Sequence, residues 1–187
     1  MQRETSSFPF GRSDLETNPA FNVLIAYDDF EAGKRAKRTY DFLVENLGGE
    51  CEFANQMWKF DVLGIPKLRE MAASDASEAD IIMVSCHAAG ELPDELKAWV
   101  EIWLGVKCKA IAMVVLLDCP FGWTAEAQST RAYLAAAARR GGMEFFCEAD
   151  GTMPGEQPMD LSRPGAISAL VSAVERDASF SRWGINE

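Results

Sequence analysis

The feature that most constrains this chain is a repeated alternation of short, unbroken apolar runs with stretches of helical periodicity. FNVLIAY (21–27), CEFAN (51–55), ADIIMVS (79–85), KAIAMVVLLD (109–118) and MEFFCEA (143–149) have strand length and little polar interruption. Such runs suit strands buried on both faces. Between them, Ala36, Tyr40, Leu43 and Leu47 recur at 4-3-4 spacing, describing one face of a helix over 31–47 that Gly48-Gly49 ends. WKFDVLGIP reads as a connection, and Pro66 opens a short helix carrying Leu68, Met71 and Ala72. In ELPDELKAWVEIWL (91–104), Leu92, Leu96, Trp99, Val100 and Trp103 line one stripe. The alanine-rich segment 124–140 is a helix ended by Gly141-Gly142, and a last helix follows the Gly/Pro-rich stretch 150–165.

Five such units predict an α/β fold: a three-layer, doubly wound, five-stranded parallel sheet of flavodoxin-like type, with strand order 2-1-3-4-5. Residues 1–20 are polar with Pro9, Gly11 and Pro19, and read as a flexible lead-in to a single domain over 21–187.

Charge narrows the partners. Lys and Arg number 18 and Asp and Glu 29, a formal charge of −11 with pI near 4.6. That field repels nucleic acid and anionic lipid alike, so neither is expected as a partner. The lead-in holds no apolar core of signal-peptide length, and no run reaches the ~20 apolar residues of a membrane span. Cys51, Cys86, Cys108, Cys119 and Cys147 form no C-x-x-C pair, which fits reduced thiols in a cytoplasmic protein.

In a doubly wound sheet, ligands bind beyond the carboxyl ends of the strands, where the strand order reverses. The sequence puts Asp28 and Asp29 at the first strand tip, Ser85, Cys86 and His87 at the third, Asp118 and Cys119 at the fourth and Glu148 at the fifth. One aspartate before a helix is accounted for as a cap. A second leaves a surplus carboxylate, and Asp28, Asp29 and Asp118 together would suit a hard cation such as Mg2+. No other cofactor is indicated: DDFEAG offers carboxylates where a phosphate-cradling loop needs N–H groups, and no G-x-G-x-x-G occurs.

VLIAYDDFEAGKRAKRTYDFLVENLGG (23–49) resembles the opening of a response-regulator receiver domain, ADIIMVSCHAAG its third strand and loop, and GGMEFFCEADG its fifth. The resemblance implies Mg2+ at the acidic pair. It also exposes two departures, because Ser85 stands where the family has its phosphoacceptor aspartate and Glu148 where it has a lysine. What it then implies is a degenerate receiver-like signalling or interaction module without phosphotransfer, binding a protein partner or its own twin. The chain is also similar to uncharacterised bacterial proteins sharing W-x-F-D-x-L, here Trp58 to Leu63.

An enzymatic alternative uses the same rim. His87 is the only histidine, and Cys119, on the neighbouring strand end, is its better-placed thiol partner than Cys86. Ser85, His87 and Cys119 are thus the catalytic candidates for a small-molecule hydrolase or transferase. A His87, Asp28 and Asp118 metal site is the other arrangement those residues allow. Phe121 and Trp123 in PFGW form a stiff aromatic loop beside the rim, a lid or contact element. The basic run Lys34, Arg35, Lys37 and Arg38 reads as a solvated helix face, and Trp99 and Trp103 as core, or, if exposed, as a dimer surface. The two functional readings demand different surfaces: the enzyme a concavity where rim side chains converge, the module a flat apolar patch.

Overall fold

The computed structural model describes residues 20–47, 52–88, 90–119 and 122–150. Five strands alternate with helices: β1 (Ala20–Tyr27), α1 (Phe30–Leu47), β2 (Glu52–Lys59), α2 (Phe60–Leu63), α3 (Pro66–Glu78), β3 (Ile81–His87), α4 (Asp94–Leu104), β4 (Ala112–Asp118), α5 (Ala125–Arg140) and β5 (Glu144–Asp150). All four strand pairings are parallel, and the sheet order is β2-β1-β3-β4-β5, as the alternation predicts. The last helix read from the sequence, the lead-in before Ala20, Gly48-Gly49, Cys51 and Phe121 lie outside the described residues.

Side-chain alternation along the strands splits the core in two. Leu24, Ala26, Ile82, Val84, Met113, Val115 and Leu117 face α2 to α5, together with Trp99 and Trp103. Val23, Ile25, Ile81, Met83, Ala112, Val114 and Leu116 face the other way, against Ala36, Tyr40 and Leu43 of α1. Helices therefore change sides between β1 and β3, which makes the carboxyl ends of those two strands the crevice of the fold.

Four sequence expectations are corrected. The connection read from Trp58 onward begins as strand: β2 pairs with β1 through Lys59, and Phe60–Leu63 then forms a helical turn whose Phe60 and Leu63 are buried. Trp58 donates its indole N–H to Asp75 of α3 at 3.0 Å, so the W-x-F-D-x-L element is an anchor for that turn. In α3 the inward face is Ala72, Ala73 and Ala76, while Met71 is exposed, because small side chains let the helix lie close on the sheet. β3 and β5 both run on beyond their expected ends. As a result Ser85 and Glu148 are not tip residues: both stand level with Leu116, two positions short of Asp118.

The fourth correction concerns the basic run. Lys34, Lys37 and Arg38 are exposed, but the Arg35 side chain is turned inward and keeps 16% of its surface exposed. It sits one turn after Ala32 and beside Ala36, on the flank of the buried stripe, and its length carries the guanidinium onto the sheet.

Candidate functional site

The two aspartates at the end of β1 take different roles. Asp29 caps α1: its Oδ1 accepts the Ala32 N–H at 2.9 Å and its carbonyl accepts the Gly33 N–H at 2.8 Å. Asp29 Oδ2 remains, and it lies 3.1 Å from His87 Nε2. The other imidazole nitrogen, Nδ1, lies 2.7 Å from Asp118 Oδ2. His87 and Asp118 are register partners at the ends of β3 and β4, so parallel pairing alone brings their side chains together. His87 thus bridges two carboxylates, one from a helix cap and one from a strand tip.

Both nitrogens can donate at once only when the ring is the imidazolium. Burial alone pulls the His87 pKa down, but hydrogen bonds to Asp29 and Asp118, reinforced by their charges, outweigh it and hold the value above normal. The Asp29 carboxyl is held below its ordinary value, first by the Ala32 N–H; burial opposes this, and His87 adds to it.

Arg35 closes the cluster from the α1 side. Its Nη2 donates to the carbonyls of Cys86 at 3.0 Å and Leu116 at 3.2 Å, and its Nε donates to Ser85 Oγ at 3.3 Å. Nη1 stands 4.0 Å from Asp118 Oδ2. Ser85 is fully buried and donates its own hydroxyl to the Ala32 carbonyl at 2.8 Å. The serine therefore ties α1 to β3, its proton engaged by the backbone. Sequence reasoning missed Arg35 because four basic residues in five positions resemble a solvated face. The available signal was its i+3 spacing from Ala32.

Asp28 goes elsewhere. Its N–H donates to the Ser85 carbonyl at 3.0 Å, while its carboxylate, with no hydrogen bond among the described residues, borders a cleft. This cleft, about 190 Å³, is walled by Asp28, His87, Cys86, Phe60 and the Gly90–Pro93 segment, at the crevice between β1 and β3. The rim residues named from the sequence are therefore divided. Asp29, His87 and Asp118 meet in one hydrogen-bonded line; Asp28 and one edge of His87 face the cleft; Ser85 is interior.

The described cysteines belong to the core or pack against it. Cys86 and Cys119 both pack in the α2–α5 half of it. Burial, with a contribution from the Asp28 charge, pushes the Cys86 thiol up to about 12, far from a thiolate at neutral pH. Trp123 packs against the same core and its indole N–H has no partner among the described residues. Beside it, Thr124 caps α5 through the Ala127 N–H at 3.2 Å. Among the described residues, no three His, Cys, Asp or Glu side chains gather in a way that could hold a metal ion. Between Asp29 and Asp118, where the sequence suggested Mg2+, stands the His87 ring. Nor is any described helix long and apolar enough to cross a membrane.

No protein-family model matches the chain, and no curated protein matches it in sequence. Solved structures do match in shape. A short-chain flavodoxin associated with a non-canonical PDU bacterial microcompartment superposes with TM-score 0.53 at 12% identity, over 86% of this chain and 99% of its own. The Streptococcus pneumonia TIGR4 flavodoxin gives 0.49 at 16% identity, over 85% and 98%, and the Trp repressor binding protein from Bacillus subtilis 0.44 at 13%, over 82% and 97%. With the strand order already described, the likeness to the short-chain flavodoxin establishes the flavodoxin-like α/β fold of this chain.

Proposed function

We propose that the protein is a receiver-like signalling or protein-interaction module that carries out no phosphotransfer and binds a protein partner or a second copy of itself. The observation that carries this reading is the two-sided engagement of His87. An imidazolium held between two carboxylates has no lone pair with which to take a proton, so it is a poor general base. It also supplies, from within the chain, the positive charge that a bound cation would otherwise bring to Asp29 and Asp118. Buried Ser85 offers neither a carboxylate for an acyl phosphate nor access for a donor. The rim is thus built to hold its shape.

A second reading, a small-molecule hydrolase or transferase, has one observation in its favour: the cleft beside Asp28 and His87. At about 190 Å³ it is smaller than the usual ~300–1,000 Å³ ligand site.

Incubation of the full chain with acetyl phosphate and Mg2+, followed by intact mass, tests the proposal. No added phosphate is expected, and a labile adduct would sink it. Ester and phosphomonoester hydrolysis, assayed on the wild type and on Asp28→Asn, tests the second reading. Turnover that disappears in the variant would replace the first reading with the second.

A further inference from the structure

Away from the rim cluster, a larger cavity of about 350 Å³ opens between the start of α4 and the exposed side of α5, lined by Glu91, Leu92, Lys97, Ser129, Thr130 and Tyr133. Its size falls within the usual range for small-ligand sites. Two features single it out. Thr130 is 3% exposed, and its hydroxyl makes no hydrogen bond among the described residues. The hydroxyl itself is not sealed off: it stays open to the cavity, where a polar occupant can bond it. The second feature is the lining charge, one carboxylate and one ammonium, with the hydroxyls of Ser129, Thr130 and Tyr133 in the same wall.

We infer that this cavity binds a small zwitterion of free amino-acid type. An anion alone would meet Lys97 and be repelled by Glu91; a cation alone would meet the reverse; a neutral polyol would engage neither charge. A molecule with a carboxylate and an ammonium satisfies both, and its polar body supplies partners for the Thr130 and Ser129 hydroxyls. Lys97 is available for this role. Its present partner is Asp94, 3.3 Å away, 95% exposed and one turn earlier on the same helix, a type of pair readily exchanged. The Tyr133 hydroxyl makes a long 3.5 Å bond to the Lys97 carbonyl, leaving its lone pairs to the cavity. Glu91 and Leu92 also line the rim cleft, so occupation here bears on the segment walling that cleft. The inference does not depend on the signalling reading.

Calorimetric titration of the full chain with L-serine, acetate, methylammonium and glycerol tests it, with thermal melts as a second readout. Saturable binding of L-serine is expected, with acetate and methylammonium each weaker by about tenfold or more and glycerol without effect. Thr130→Val, close in shape, should weaken L-serine binding by roughly tenfold, while Thr130→Ser should retain it. Lys97→Met should bring affinity down toward that for methylammonium. No saturable L-serine binding would overturn the inference, as would equal binding of acetate or unchanged affinity in both Thr130→Val and Lys97→Met. If Thr130→Val lowers the melting temperature sharply, Lys97→Met, on an exposed side chain, gives the deciding comparison.

Discussion

His87 Nδ1 and Asp118 Oδ2 lie 2.7 Å apart at the matched ends of two neighbouring parallel strands, and the opposite edge of the same ring reaches Asp29. Three elements, the cap of α1 and the tips of β3 and β4, are thus joined through one imidazole. This arrangement links stability to pH.

The His87 pKa is raised from 6.5 by the two carboxylates, which together outweigh burial. The contribution of its charge is therefore complete below about 6.5 and is lost as pH rises through the folded value. Asp29 is lowered from 3.8, so its contribution is complete above that value and lost as pH falls through the folded one. His87→Gln carries no charge, and its donors sit on a single amide nitrogen, which cannot replace two ring nitrogens facing opposite carboxylates. The gap in melting temperature between wild type and His87→Gln should be widest in mildly acid solution and close on the alkaline side. Thermal melts across pH check this; a gap that grows with pH would show that the ring is not held as the imidazolium.

Much of this was legible in the sequence, for reasons that particular residues make plain. Parallel strands covered on both faces must be apolar throughout, so ADIIMVS and AIAMVVLL announce themselves and the strand order follows from their alternation with helices. Leu96, Trp99, Val100 and Trp103 form the buried stripe that their spacing predicts, because a helix repeats every 3.6 residues; Leu92, expected on the same stripe, is buried but precedes the helix, which begins at Asp94. The site was less legible. Polar residues can continue a strand when each finds a partner, as Ser85 does with Ala32 and Arg35, and nothing local announces those partners. His87 and Asp118 were rightly placed on one rim, but their bond depends on register, which periodicity does not reveal. Arg35 reaches across 51 positions to Cys86, and no window of sequence contains that contact.

Arg35 ties α1 to the carbonyls of Cys86 and Leu116. Arg35→Met keeps the aliphatic stem and removes the donors, leaving both carbonyls and the Ser85 hydroxyl short of partners in a largely buried setting. The expected loss is roughly 2–4 kcal/mol, measured by urea unfolding. Lys34→Met, on an exposed residue whose pair with Glu31 is on the surface, should change stability by less than about 0.5 kcal/mol. Equal effects would contradict the inward placement of Arg35.

Placing a carboxylate at Ser85 should not create a phosphoacceptor. Ser85 is fully buried and stands level with Tyr27 and Leu116. Ser85→Asp would place a charge in the interior and, when ionised, remove the donor that Ala32 O accepts. The variant should be less stable by about 2 kcal/mol or more, with Arg35 offsetting part of the burial penalty. It should gain no mass from acetyl phosphate. A stable variant that takes up phosphate would require Ser85 to be open to solvent.

The orientation of α4 decides whether its tryptophans serve the core or a partner. Trp99 and Trp103 are both fully buried and meet edge to face with ring centroids 5.9 Å apart, while Ile102 between them points outward at 39% exposure. Helical spacing requires this: positions 99 and 103 share a face, and 102 lies on the flank. Trp103→Ala should lose about 3–5 kcal/mol, because it removes a large buried ring and leaves a cavity between α4 and the sheet. Ile102→Ala should lose less than about 1 kcal/mol. Indole fluorescence gives an independent reading, since buried rings emit to the blue and resist quenching by iodide. If instead Ile102→Ala is the more damaging substitution, the helix is rotated, and the tryptophan pair faces outward as a partner-binding surface.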